Sequence, residues 1–174
     1  SWGSELGKFP YSAWDKVFSV NVTGLFHLTQ NLLPLLEKNA RTESPSKILN
    51  IGSVMGSSPY GDGAYSYSAS KSAVHHLTRI LAKELAGKRI TVNALAPGPF
   101  ESKMTTFAMN SDQKRKSVAD SVPLGRVGLY DDIAAATIYL CGRGGNYITG
   151  AVIPIDGGIH VSTGPELFQE SRNL

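Results

Sequence analysis

Ser53, Tyr67 and Lys71 are side chains whose types and spacing suit proton transfer. Ser53 follows an apolar segment, and Tyr67 and Lys71 come after a loop rich in Gly and Pro. Their spacing of four places Tyr67 and Lys71 on one face of a helix. A free tyrosine has a pKa of about 10, and an ammonium one turn away is expected to lower it. With Ser53 to bond the oxygen that accepts the proton, the three predict alcohol or carbonyl chemistry.

A long helix is predicted upstream of these residues. Ser12 is its predicted N-cap, and it continues to about Asn39, with Pro34 expected to kink or shorten the last turns. Its apolar residues recur with the helical period and are expected to be buried together: Trp14, Val17, Phe18, Leu25, Leu28, Leu32 and Leu35.

Asn21 falls within this apolar stripe. A buried amide must find hydrogen-bond partners. The periodicity alone favours equally a core asparagine bonded to backbone and a site residue.

Three short apolar segments, residues 48–51, 90–95 and 151–155, are predicted to be strands. Pro154 in the third indicates a sheet edge. A helix over 64–86, ending at Gly87, separates the first two strands and implies a right-handed parallel crossover. Another helix begins at Asp131 or Asp132 and stops at Gly142. The predicted class is α/β, with the ligand crevice beyond the carboxyl ends of the strands, where Ser53 and Pro97-Gly98 lie.

The 64–86 helix should bury one stripe of side chains. His75 and His76 lie off the centre of that stripe, so we expect them at the surface or an interface. The lysine in the stripe needs a partner or a ligand. The stripe comprises Tyr67, Lys71, Val74, Leu77, Thr78, Leu81 and Leu85.

Composition and charge limit the function classes. The chain of 174 residues has a formal net charge of +3 and 41% apolar residues, which favours one globular domain over 1–174. No aromatic-interleaved basic stripe indicates nucleic-acid binding. The only cysteine, Cys141, permits neither a disulfide nor a Cys-based metal site, and its apolar context favours a buried hydrophobe. We predict no metal, no membrane span, no signal peptide and a cytoplasmic location.

Two segments are predicted to be irregular. Residues 99–129 are polar and are expected to form a substrate flap with a short helix. Residues 162–174 are expected to form a loose tail.

The combined motifs resemble the short-chain dehydrogenase/reductase family. Tyr67 to Lys71 match its YxxxK motif, Ser53 matches the serine that precedes it, and Asn21-Val-Thr-Gly24 matches its Asn-Val-x-Gly motif. The resemblance therefore implies a catalytic role for Asn21. It covers residues 1 to about 160 and implies the C-terminal two-thirds of a Rossmann-like, doubly wound parallel sheet with long flanking helices.

The resemblance also implies cofactor contacts. Pro97-Gly98 is similar to the PG motif at the nicotinamide, and Ser102 falls where the family has a threonine that bonds the carboxamide. With Phe100, Tyr67 and Lys71 they form the expected cofactor-binding set, and NADP(H) is expected in preference to NAD(H).

The family's TGxxxGxG turn does not occur in this sequence. Residues 1–9 resemble the segment directly after the family's Asn-Asn-Ala-Gly strand, so we expect a fragment that lacks the first third of the domain and is inactive alone.

The sequence is compatible with three functions. The sequence is most similar to 3-oxoacyl-[acyl-carrier-protein] reductases, including the rhamnolipid-associated branch, although polyol and sugar dehydrogenases share many of these features. The first alternative is an inactive truncated member acting as an oligomerisation module, with Leu33, Leu36, His76 and Ile80 available for a homodimer or homotetramer. The second is an epimerase or dehydratase, which the Pro-Gly and Asp-Gly-Gly features disfavour.

Overall fold

The computed structural model describes residues 3–60 and 63–162. A three-stranded parallel sheet lies at its centre, ordered β1 (Ser46–Ile51), β2 (Ile90–Pro97) and β3 (Val152–Ile155). Ile51 pairs with Leu95, and Pro97 pairs with Ile155. The predicted α/β class and the parallel crossover from β1 to β2 are therefore confirmed, and Pro154 lies on an edge strand of this sheet as predicted.

Helices precede and link the strands. The helices are α1 (Ser12–Phe18), α2 (Gly24–Asn39), α3 (Tyr65–Leu85), α4 (Thr106–Met109), α5 (Asp112–Asp120) and α6 (Tyr130–Cys141). A π-helical turn, Ser19–Thr23, joins α1 to α2 without a break.

One predicted detail of the first helix is wrong, and one of the two effects expected of Pro34 does not occur. Ser12 is already helical, and the N-cap position belongs to Tyr11, whose backbone is itself in the right-handed helical region. Pro34 does not shorten the helix, because α2 continues through it to Asn39. Proline removes one backbone donor, and the turns on either side still form.

The predicted apolar stripe is displaced along α2. Leu28 and Leu35 are 62% and 63% exposed, whereas Leu33 and Leu36 pack against the core. The π turn closes its hydrogen bonds over one more residue than an α turn. It therefore rotates α2 by one position relative to α1, and a stripe counted through it at the α-helical period reaches the wrong face.

The core lies between the sheet and helices α2 and α3. Its buried members include Leu81, Leu85, Ile90 and Val92, and β2 is buried along nearly its whole length. β1 is mostly half-buried, less than the sequence predicted, because it lies on the opposite edge of this sheet from β3.

The C-terminal part differs from prediction at Cys141 and at the start of α6, which is Tyr130 and not Asp131 or Asp132. Cys141 is exposed, since the last turn of α6 directs Leu140 into the core instead. The 99–129 segment carries two short helices, α4 and α5. The expected tail lies almost entirely outside the described residues. Within residues 3–60 and 63–162, no helix has both the length and the apolar character to span a bilayer.

Candidate active site

The carboxyl ends of the three strands bring the site loops together. Beyond β1, the backbone N–H of Gly52 donates to the carbonyl of Leu95 on β2 at 2.7 Å. Beyond β2, the N–H of Gly98 donates to Ile155 on β3 at 3.0 Å. Ser53 and the Pro97-Gly98 turn therefore start from the same edge of the sheet, where ligands bind in such folds.

Ser53 sits in a tight turn directly after β1. Its side chain is buried, and its Oγ accepts the backbone N–H of Met55 at 3.2 Å. The N–H of Gly56 closes the turn on the Ser53 carbonyl at 2.9 Å. Because the hydroxyl accepts from Met55, its own proton is available to donate elsewhere.

Tyr67 lies in the first turns of α3, beside Ser53. Burial raises the pKa of the Tyr67 phenol, and a hydrogen bond with Ser53 opposes that rise. The sequence predicted the reverse shift, from Lys71. Burial disfavours the phenolate more strongly than the surroundings stabilise it.

Lys71 is half-buried one turn further along α3. Its ammonium donates to the carbonyl of Ile51 at 2.8 Å and lies 5.6 Å from the centre of the Tyr67 ring. Burial lowers the pKa of Lys71. The partner that the sequence required for this lysine is thus the last carbonyl of β1.

Asn21 is held against α3 by the π turn. Its Nδ2 donates to the Ser70 Oγ at 2.9 Å, and Ser70 donates in turn to the Tyr67 carbonyl at 2.7 Å. π turns within helices occur frequently at functional sites. This chain of hydrogen bonds joins Asn21 to the helix that carries Tyr67 and Lys71.

The four expected cofactor contacts after β2 follow one another along the chain. Gly98 packs closely on Asp156: a Cβ added at Gly98 would lie 2.8 Å from the Cα of Asp156. Phe100 packs its ring against Gly128, where the two residues form a parallel bridge. Ser102 is exposed, and its Oγ lies 3.1 Å from the Thr105 hydroxyl.

One buried polar residue of the site lies elsewhere than the sequence predicted. His75, expected near the surface, is 3% exposed and contacts the Ser53 turn, whereas His76 is exposed as predicted. The available signal was the spacing of four that continues from Tyr67 through Lys71 to His75.

Two cavities lie outside the Ser53, Tyr67 and Lys71 group. One of about 560 Å³ is lined by Phe100, Arg126 and His160, among others. The second, of about 780 Å³, has aromatic walls that include Phe9, Trp14 and Tyr65. Ser53, Tyr67 and Lys71 line neither cavity, and their hydrogen bonds and their place on the sheet define the candidate site.

Comparison with known proteins gives consistent matches. A family model described as enoyl-(acyl carrier protein) reductase matches residues 3–160. A rhamnolipids biosynthesis 3-oxoacyl-[acyl-carrier-protein] reductase of Pseudomonas aeruginosa is 49% identical over 161 residues, covering 92% of this chain and 63% of the relative. A 3-oxoacyl-[acyl-carrier-protein] reductase of Thermotoga maritima is 40% identical over 147 residues, or 84% of this chain and 56% of the relative.

Solved structures agree with these relatives. The Pseudomonas aeruginosa RhlG/NADP active-site complex has a TM-score of 0.88 at 49% identity, covering 92% of this chain and 62% of that one. A 3-ketoacyl-(acyl-carrier-protein) reductase of Brucella melitensis complexed with NADH has a TM-score of 0.81 at 32% identity, covering 91% and 62%. The chain therefore spans less than two thirds of the length of these proteins. Since the family model matches most of the chain, this protein belongs to the short-chain dehydrogenase/reductase family.

Proposed function

We propose that this chain is the catalytic part of a carbonyl reductase of the 3-oxoacyl type, using NADP(H) in preference to NAD(H). The observation that carries the proposal is the meeting of Ser53, Tyr67 and Lys71 at the carboxyl edge of the sheet. The 49% identity to a 3-oxoacyl reductase supports the substrate class, and the NADP in its structural neighbour supports the cofactor.

The chemistry assigns one role to each of these side chains. Ser53 donates its hydroxyl to the substrate carbonyl oxygen and holds it beside the Tyr67 phenol. Tyr67 gives its proton to that oxygen as the carbonyl is reduced. The Lys71 ammonium then stabilises the phenolate that remains.

The resemblance adds a cofactor role for the same residues. A phenol and an ammonium suit the hydroxyls of the nicotinamide ribose, which Tyr67 and Lys71 would hold. The residues at and just after the end of β2 would line the nicotinamide end of the cofactor. They are Pro97, Gly98, Phe100 and Ser102. When bound, the nicotinamide supplies the hydride.

Asn21 is the fourth member of the proposed catalytic set. Its hydrogen bond to Ser70 anchors the π turn on α3. We assign it the binding of a water that links Lys71 to solvent, so that the lysine can be reprotonated after each turnover.

The alternative is a non-catalytic association module. The exposed leucines of α2 favour it, because a second copy of the chain in a homodimer or homotetramer could cover them. Leu33 and Leu36, which the sequence predicted for that surface, pack against the core and are not available.

A binding titration separates the two functions. NADPH is added to the longest natural polypeptide that contains this chain while nicotinamide fluorescence is followed, with Lys71→Met as the matched variant. Saturable binding that weakens in Lys71→Met supports the reductase. An oligomer that leaves the fluorescence unchanged supports the association module.

Turnover is measured on the longest natural polypeptide that contains this chain. A 3-oxoacyl thioester with NADPH is compared with a polyol and NADP⁺. Faster consumption of the thioester supports the 3-oxoacyl assignment, and preference for the polyol contradicts it.

A further inference from the structure

His75 lies beneath the turn that presents Ser53. Its Nε2 is 3.4 Å from the backbone nitrogen of Ser53, and its Nδ1 is 3.3 Å from the Ser57 Oγ. Ser53 opens the turn and Ser57 closes it. One imidazole ring therefore bonds both ends of the segment that carries the candidate catalytic serine.

The backbone of the turn leaves room for this ring. A Cβ added at Gly52 would overlap the Nε2 of His75, and one added at Gly56 would lie 2.7 Å from its Cε1. The two glycines thus flank Ser53 and admit the imidazole between the end of β1 and α3. The ring and the turn are packed as complementary shapes.

The hydrogen bonds determine which ring nitrogen carries the proton. A backbone N–H can only donate, so the Nε2 of His75 must accept from Ser53. The proton of the neutral ring then resides on Nδ1, which donates to Ser57. Burial lowers the pKa of His75, and the charges of Arg79 and Lys71 lower it further, which keeps the ring neutral.

Helix α3 docks on the turn at two further points. The Ser72 Oγ donates to the Gly56 carbonyl at 2.6 Å, and the Lys71 backbone lies directly against Gly56. Since Tyr67 and Lys71 are carried by the same helix, any shift of the turn relative to α3 would change the distance between Ser53 and Tyr67.

We propose that His75 is a positioning residue that holds the Ser53 turn in register with α3 by accepting the Ser53 N–H and donating to Ser57. It does not touch the reacting atoms. The expected effect of His75 on turnover rests on the proposed function. The hydrogen bonds of His75 can be tested without any reaction.

The structural test uses nitrogen-15 NMR on the 174-residue chain. We expect the His75 ring as the Nδ1–H tautomer near neutral pH, together with slow hydrogen exchange at the Ser53 amide. An Nε2–H tautomer, or a Ser53 amide that exchanges as fast as those of exposed loops, would overturn the proposal.

The kinetic test compares His75→Leu with His75→Gln in the longest natural polypeptide. Leucine fills the space without an acceptor, whereas glutamine offers both an acceptor and a donor. We expect kcat to fall roughly tenfold or more in His75→Leu, because the Ser53 turn loses its acceptor and Ser53 is misplaced relative to Tyr67, with little change in KM. Recovery of most of kcat in His75→Gln supports positioning, whereas near-normal kcat in His75→Leu would show a space-filling role only.

A control variant and Tyr67→Phe distinguish failure of the proposed reaction from failure of the positioning role of His75. His27→Gln changes an exposed histidine on α2 and should leave kcat unaltered. If Tyr67→Phe retains activity, the proposed reaction is wrong, while the NMR result still decides the role of His75. If Tyr67→Phe is inactive and His75→Leu is normal, the reaction stands and the positioning role fails.

Discussion

The environment of Tyr67 decides how the site can act at neutral pH. The sequence predicted a lowered pKa from Lys71, but burial of the phenol raises it and Lys71 directs its ammonium to the Ile51 carbonyl. A phenol with a raised pKa stays protonated at neutral pH. That is the form required of a proton donor to a carbonyl oxygen.

This shift predicts a titration. The phenolate absorbance of the 174-residue chain minus that of Tyr67→Phe should have its midpoint above the ordinary tyrosine value of about 10. Ser53→Ala should move the midpoint higher, since the Ser53 hydrogen bond lowers the pKa of Tyr67. A midpoint below the ordinary value would mean that Lys71 outweighs burial.

The same shift fixes the sign of the pH dependence. In the reducing direction the phenol is the active form, so kcat should be retained through neutral pH and fall as pH rises through the raised pKa of Tyr67. A kcat that increased with pH across this range would contradict Tyr67 as the donor.

At this scale the sequence predicted the candidate reacting groups, but not the hydrogen bonds that support them. The serine, phenol and ammonium follow from residue type, spacing and family motif. The partnership of Asn21 with Ser70, and of His75 with the Ser53 turn, depends on how α3 packs, which periodicity does not specify.

At the scale of elements, the π turn is the main departure from prediction. The helix bounds from 12 to 39 were close, yet a single π turn moved the buried face of α2 from Leu28 and Leu35 to Leu33 and Leu36. No residue type in Ser19–Thr23 indicates this turn. Its hydrogen bond from Asn21 to Ser70 is a tertiary contact, which explains why local pattern could not predict it.

The turn after β2 yields a prediction about Gly98. Gly98→Ala should lower the free energy of unfolding by about 1–3 kcal/mol, because its Cβ would press on the Asp156 backbone. It should also weaken NADPH binding. Gly87→Ala is the control, since nothing lies within 4 Å of its Cβ position, and its unfolding free energy should change little. Denaturant unfolding measures the free energy of unfolding, and nicotinamide fluorescence measures NADPH binding. Equal losses of stability in Gly98→Ala and Gly87→Ala would contradict the close packing at Gly98.

At the scale of the molecule, α2 leaves an apolar face uncovered. Leu28 and Leu35 are more than half exposed on it. If a second copy covers them, the doubly changed chain Leu28→Glu with Leu35→Glu should sediment as a smaller species than the parent, because buried carboxylates without partners are costly. Gln30→Glu on the same helix is the control for charge. A monomeric parent chain, or unchanged size in the double variant, would contradict association through this face.

The overall class was predictable because alternating apolar strands and long helices permit few arrangements. The exposure of α2 and the half-buried state of β1 could not be predicted from the sequence, because both depend on which elements pack against them. The family assignment and the sheet edge nevertheless converge on the same three side chains.

The most direct test is the turnover of Tyr67→Phe against Tyr65→Phe. Tyr65 lies on the same helix with its ring packed against Phe9. In the longest natural polypeptide, with a 3-oxoacyl thioester and NADPH, we expect Tyr67→Phe to abolish turnover while NADPH still binds, and Tyr65→Phe to remain active. Near-normal turnover in Tyr67→Phe would contradict Tyr67 as the proton donor.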